Sequence, residues 1–276
     1  MTANRPHLAL AAGVLTLVQA LAFGASAGAA PTPEQPGSGV APSTGTAPSP
    51  HSTQGVPTTA GPATMVVLSD ERTVTTWAHP VEEVRIREHP VANSRTIART
   101  HLVTEDGFPE VYLLLSNLTD ARGRVWVRVR IPGRPNGRIG WVPRSALGDL
   151  QVTHWLLVIS LSARRLKAYY NGKLRFSAPV GVGKPSTPTP AGHFWIRERF
   201  KVTNRSNPYW PYALGTSDYS TLTEWPGGGV VGIHGDLGEP KVIPGAPSHG
   251  CVRMRNADIA WLAPRLQIGT PVHIIR

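Results

Sequence analysis

The sequence predicts a mainly β fold: a C-terminal β-sandwich or mixed sheet with one short helix, preceded by a small β-barrel. Three observations predict it. Short β-branched and aromatic runs dominate everything after residue 65. Pro, Gly, Asn and Ser turn signals punctuate those runs at short intervals. A single stretch, Asn256-Ala257-Asp258-Ile259-Ala260-Trp261-Leu262, reads as a helix, with Asn256 or Asp258 near its start.

The elements follow in chain order. Val84-Arg85-Ile86-Arg87 alternates and runs into the turn-prone His89-Pro90 and Asn93-Ser94. Val125-Trp126-Val127-Arg128-Val129-Arg130-Ile131 is a strand, 133–137 a turn, and Gly140-Trp141-Val142-Pro143 the returning strand, ending at Ser145-Ala146-Leu147. Short strands at this spacing suggest a small barrel, and the pattern over 66–149 resembles bacterial SH3-like domains. Trp126 and Trp141 either fill such a barrel's core or line a groove on it. Downstream, 154–160 is a strand, and 166–170 turns at Asn171-Gly172 into 174–180 as a hairpin. The run Gly181-Val182-Gly183-Lys184-Pro185-Ser186-Thr187-Pro188-Thr189-Pro190 reads as a stiff loop. Its glycines do not make a phosphate loop, because Pro-Ser-Thr-Pro supplies no helix N-terminus to cradle an anion. His193-Phe194-Trp195-Ile196 is a strand. Residues 198–229 form a long polar and aromatic connection, the kind that is functional or partly structured. Val230-Val231-Gly232-Ile233-His234 then carries His234 to a strand end, and 270–275 closes the sheet.

The leading residues read differently. Arg5, an apolar stretch over 8–23 and the small residues 25–30 form a secretory signal over 1–30. The apolar stretch is shorter than the roughly 20 residues of a spanning helix, so cleavage is expected and retention as an anchor is the alternative. Residues 31–64 are mostly Pro, Gly, Ser, Thr and Ala with Glu34 as the only charge, a composition expected to remain a disordered tether. This leaves an SH3-like region over 65–150 and a second domain over 151–276. The net charge is +11, and the leading segments remove one Arg and one Glu from it, leaving it unchanged. Such a basic exported surface suits anionic wall polymers or lipid headgroups. Nucleic acid is set aside, since no nucleic-acid module is present and export argues against it.

Cys251 is the only cysteine of the chain. It has no internal disulfide partner, and it sits in Ser248-His249-Gly250-Cys251-Val252-Arg253-Met254, with His234 upstream between Ile233 and Gly235. An imidazole that takes the thiol proton, with positive charge nearby to stabilise the thiolate, turns cysteine into a nucleophile. Gly232, Gly235 and Gly250 allow the backbone to approach a ligand closely. The bland reading is a small buried apolar side chain.

Ile233-His234-Gly235, a loop, then Ser248-His249-Gly250-Cys251-Val252-Arg253-Met254 resembles the L,D-transpeptidase (YkuD-type) catalytic domain. The likeness extends over roughly 152–276 and includes Gly183-Lys184 and Thr187-Pro188-Thr189-Pro190-Ala191-Gly192. The resemblance implies a secreted acyltransferase that needs no metal, nucleotide or other cofactor and no obligate protein partner. It would cleave the terminal D-Ala from a peptidoglycan tetrapeptide stem through a Cys251 thioester. It would then pass the acyl group to an amine of a second stem, giving 3-3 cross-links. In that scheme His234 is general acid and base, oriented by a backbone carbonyl such as that of Gly235. The amides of Gly250 and Cys251 form the oxyanion hole. His249 and Ser248 support the arrangement, His249 and Arg253 sharing a strand face with Cys251. Arg253 binds a substrate carboxylate or pairs with Asp236 or Asp258. Tyr209, Trp210 and Tyr212 form a lid over the stem peptide or pack the loop. Three alternatives stay open: an L,D-carboxypeptidase in which water is the acceptor, a zinc-dependent peptidoglycan peptidase ligated by His234, His249 and Cys251, and a non-catalytic cell-wall-binding protein.

Overall fold

A computed structural model describes residues 63–276 apart from Trp225. The expected export signal and nearly all of the expected tether lie outside the described residues. Among those described, no helix is long and apolar enough to cross a membrane.

Eight strands build the first sheet: β1 (Thr64–Val67), β2 (Thr75–Ala78), β3 (Arg85–Arg87), β4 (Thr96–Arg99), β5 (Tyr112–Thr119), β6 (Val125–Arg130), β7 (Ile139–Pro143) and β8 (Gln151–Thr153). Their order is β4-β3-β7-β6-β5-β2-β8, with β1 also on β5, and every pair is antiparallel. The alternation in β6 works as expected for a strand with one buried face. Val127 and Val129 are fully buried with Ile86, Tyr112, Leu114 and Val142, while Arg128 points outward. Trp126, on the opposite face of β6, is also buried but lies outside that cluster, and its indole N–H has no partner among the described residues. Gly140 is required by packing, since a Cβ there would meet Ile86 at 2.5 Å.

Ten strands follow: β9 (Trp155–Ser160), β10 (Arg165–Tyr170), β11 (Lys173–Pro179), β12 (Gly181–Gly183), β13 (Gly192–Lys201), β14 (Tyr212–Tyr219), β15 (Val230–His234), β16 (Gly245–Ser248), β17 (Val252–Arg253) and β18 (Pro271–Ile275). Among the described residues one α-helix, α1, spans Asn256–Leu262. The mixed sheet runs β11-β10-β9-β18-β13-β14-β15-β17-β12-β16. Asn171 and Gly172 both have positive φ (49° and 70°), the primed turn that the β10–β11 hairpin requires. The core is apolar and contiguous, with Leu157, Ile159, Leu166, Leu214, Ile233 and Val272 at or near zero exposure and α1 packed on through Ile259 and Leu262. Each such Leu or Ile contributes about 1.5–3 kcal/mol relative to exposure.

One expectation is met and one needs correction. The long connection over 198–229 is partly structured, as expected: β13 runs on to Lys201, and β14 occupies Tyr212–Tyr219. Its middle, Gly215-Thr216-Ser217-Asp218, is buried despite having no apolar side chain, so it carries no hydrophobic period to read. The stiff loop after residue 180 begins as the short strand β12, sandwiched between β16 and β17.

The two sheets are joined through buried polar groups. Arg197 of β13 forms a two-pronged ion pair with Glu110, its Nε donating to Oε1 at 2.7 Å and its Nη2 to Oε2. It also donates to the Tyr219 hydroxyl at 2.9 Å and pairs with Glu105 at 3.1 Å. Trp195 donates its indole N–H to the Val111 carbonyl at 2.8 Å. The 132–138 turn adds a third tie. Arg134 donates to the carbonyls of Ser220 and Gly228, and Asn136 Nδ2 to the Asp218 carboxylate and the Tyr219 carbonyl, both at 2.9 Å.

Candidate active site

Parallel pairing of β15 with β17 sets the site. The register matches Ile233 to Val252 and His234 to Arg253, so Cys251, the residue before β17, falls level with Gly232. The Gly232 amide donates to Cys251 Sγ at 3.4 Å. A Cβ placed on Gly232 would lie 3.9 Å from His234 Cδ2 and 4.0 Å from Cys251 Sγ, so the imidazole and the thiol converge on one point. Both also line one cavity of about 320 Å³.

His234 is 3% exposed. Its Nδ1–H donates to the Gly235 carbonyl at 2.8 Å, which leaves Nε2 as the ring's acceptor nitrogen. The tight loop behind it depends on Gly235: a Cβ there would sit 2.0 Å from the Trp210 carbonyl oxygen and 2.3 Å from Asn256 Oδ1. Burial lowers the His234 pKa to about 4, and Arg253 adds to the effect, while the hydrogen bond to Gly235 works against it. Burial also pushes the Cys251 thiol up, opposed by the Gly232 amide and Arg253. The resting pair is therefore neutral imidazole and neutral thiol rather than a preformed ion pair. Proton transfer then belongs to the moment of attack.

Ser248 is fully engaged. Its hydroxyl donates to the Cys251 carbonyl at 2.6 Å and accepts from the Gly250 amide at 3.2 Å. That second bond corrects the expected oxyanion role of Gly250, because its N–H already has a partner. Gly250 has φ +132°, a conformation favouring glycine, and its carbonyl accepts from Thr189 at 2.7 Å. Residues 249–251 are not a strand, so the expectation that strand alternation aligns His249 and Arg253 with Cys251 fails. The grouping survives by another route, since His249, Arg253 and Cys251 line a second cavity of about 220 Å³. Lys184 donates to His249 Nε2 at 2.9 Å. Arg253 pairs with Glu239 at 3.1 Å, not with Asp236 or Asp258. Asp236 is taken up instead by the N-terminus of α1, accepting from the Asn256 amide at 3.2 Å. The Nε of Arg253 is buried with no partner among the described residues.

Of the three aromatic lid candidates only Tyr209 reaches the site. It lines both cavities and meets the His234 ring edge-on at 4.9 Å. Trp210 lines neither and lies under Arg205, and Tyr212 packs against the core from β14. Sequence reasoning missed four residues around the site. Asp106, from the first sheet's side, and Glu198 line the larger cavity with Cys251. Burial raises Glu198 to about 7, with Asp106 adding like charge. Asp218, fully buried, is raised by burial to about 8, opposed by hydrogen bonds from the Tyr219 amide and Asn136. Nothing local marks these carboxylates, since their surroundings come from other strands. Lys184 alone had a signal, its place in the Gly183-Lys184 segment of the family-like region. The zinc geometry is not met, because His234, His249 and Cys251 do not gather their donor atoms into a metal-sized cluster among the described residues.

Residues 154–274 match the L,D-transpeptidase catalytic domain (YkuD) family model. The chain is 34% identical over 130 residues to the putative L,D-transpeptidase YkuD of Bacillus subtilis, covering 47% of this chain and 71% of that protein. It is 24% identical over 208 residues to L,D-transpeptidase 1 of Mycobacterium tuberculosis, covering 60% and 78%. Among solved structures, an L,D-transpeptidase from Mycobacterium smegmatis aligns with TM-score 0.37 and 16% identity, over 55% of this chain and 91% of that one. A mutant Enterococcus faecium L,D-transpeptidase aligns with TM-score 0.35 and 23% identity, and there the chain spans about half of the matched protein, 49%, over 44% of its own length. With a glycine-flanked histidine and a cysteine converging on one cavity inside the matched region, the chain belongs to the L,D-transpeptidase (YkuD) family.

Proposed function

We propose that this protein is an exported cysteine acyltransferase that forms 3-3 cross-links between peptidoglycan stem peptides. Cys251 Sγ attacks the carbonyl joining the third residue of a donor tetrapeptide to its terminal D-Ala. His234 Nε2 takes the thiol proton and delivers it to the departing D-Ala amine, leaving a thioester. An acceptor amine then attacks the thioester, with His234 removing its proton and returning one to sulfur. The Cys251 amide, which has no partner among the described residues, supplies an oxyanion donor; Gly250 acts by shaping the turn that aims it. Arg253, with its buried unpaired Nε at the second cavity, receives a substrate carboxylate. The export signal and tether over 1–64, and the reading of the first sheet as SH3-like, belong to the same proposal and place the enzyme at the wall. Anionic wall polymers are a further partner of its basic surface.

One observation carries the reading: His234 is held by Gly235 with Nε2 free as an acceptor, and it converges with Cys251 on a shared cavity. The test is intact-protein mass spectrometry after incubation with a disaccharide-tetrapeptide. A mass gain equal to substrate minus D-Ala, lost in Cys251→Ala and indifferent to chelator, is the expected result. Cross-linked dimer in the same tube identifies an amine acceptor, whereas free tripeptide alone identifies water and an L,D-carboxypeptidase. A folded protein giving no adduct and no product would overturn the catalytic reading.

A further inference from the structure

Away from the thiol, three metal-ligating side chains meet between the sheets. The β13–β18 register pairs His193 directly with His273, and their rings lie 4.2 Å apart. Glu71, in the loop between β1 and β2, brings its carboxylate to the same place. One donor atom from each of the three lies within 4.8 Å of the others.

Three further observations distinguish this group from a chance gathering. His273 Nε2 is buried with no hydrogen-bond partner among the described residues. A buried polar atom left unpaired is costly, and a coordinate bond would satisfy it. Glu71 adopts φ +53°, a left-handed conformation unfavourable for a side chain of its kind. It is held there by the preceding residue, as Asp70 Oδ1 accepts from the amides of Arg72, Thr73 and Val74 at 2.7–2.9 Å. Finally, Arg130 donates to both Glu71 oxygens at 2.7 Å, with both side chains 13% exposed. Each oxygen keeps a second lone pair, and carboxylates that ligate metals are commonly fixed in this way by an outer hydrogen bond.

We propose that Glu71, His193 and His273 form a binding site for a divalent transition-metal cation, Zn²⁺ above all, that ties the first sheet to the catalytic sheet. Two imidazoles and one carboxylate suit Zn²⁺, and also Cu²⁺ or Ni²⁺, whereas Ca²⁺ and Mg²⁺ require oxygen ligands throughout. Zn–N bonds of about 2.1 Å in a tetrahedron place donor atoms about 3.4 Å apart. His193 is exposed and can close that gap by rotating its ring. The fourth position then faces water. Arg130 and Arg72 place positive charge beside His273, which opposes a cation and makes the site a modest binder. The site is independent of the chemistry at Cys251.

The experiment uses the full chain with Cys251→Ala, which removes the thiol as a competing ligand. Co²⁺ is titrated while its visible d–d absorption is followed, and Zn²⁺ is added in thermal melts. The expected result is one equivalent of saturable Co²⁺ binding and a Tm that rises with Zn²⁺. Adding His193→Ala, an exposed change that spares the fold, or Glu71→Gln should weaken binding by at least about tenfold. Absence of both the band and the melting shift would overturn the proposal. So would binding that persists unchanged in His193→Ala and Glu71→Gln, because the cation would then lie elsewhere.

Discussion

His234 gives up its proton near pH 4 chiefly because burial disfavours the imidazolium. A base that is already neutral there keeps working well into acid, so the acid limb of kcat/KM should fall near pH 4 instead of near the free-histidine value. A pH–rate profile with an acid limb at 6–7 would contradict this. The same shift carries a stability consequence. Between roughly pH 6.5 and 4 the unfolded chain binds a proton at this residue that the folded one refuses, so stability declines as pH falls through that window. Gly235 admits a second test. A methyl group there must displace the Trp210 carbonyl, so Gly235→Ala should cost about 1–3 kcal/mol in a urea melt and lower kcat by moving His234. The histidine and the cysteine were legible in the sequence because glycines flank them in a short motif. Asp106, Glu198 and Asp218 were not, because a carboxylate's burial is decided by strands far from it in sequence.

At the scale of elements, strands with apolar alternation, such as β6, β9, β10 and β15, and the helix α1 could be read directly. β14 could not, because Gly215, Thr216, Ser217 and Asp218 fill its buried stretch. Hydrogen bonds take over from apolar burial there: Thr216 donates to the Val231 carbonyl at 2.6 Å, and Ser217 accepts from the Trp195 amide at 3.2 Å. Asp218 is the exception, since its Oδ2 is buried without a partner among the described residues. Its folded pKa of about 8 lies above the unfolded value, so the folded chain retains a proton that the unfolded chain releases above roughly pH 4. Asp218 therefore erodes stability as pH rises from about 4 to 8. Asp218→Asn should raise stability at pH 7 by a few kcal/mol, with the gain vanishing near pH 4 when melts are compared. An equal gain at both pH values would mean that ionisation is not the cause.

The whole molecule is held by a buried ion pair at the junction of its sheets. Glu110 offsets the burial of Arg197, whose pKa is raised despite desolvation. Removing one partner strands the other charge, so Glu110→Ala should cost about 3–5 kcal/mol, read as a lower urea midpoint. Retention of the wild-type midpoint would show that Glu105 and Tyr219 suffice. This junction was invisible in the sequence, where Glu110, Arg197 and Tyr219 share no motif, and the chain read as two separable modules. Asp106 in the wall of the larger cavity, together with the grip of Arg134 on the Ser220 and Gly228 carbonyls, bears on how such proteins are recombined. A chimera that joins this catalytic half to a foreign N-terminal module would inherit a Cys251 cavity with part of its lining missing. The heritable block is thus the pair of halves, and swaps that move them together should keep function where swaps at the 150/151 boundary lose it.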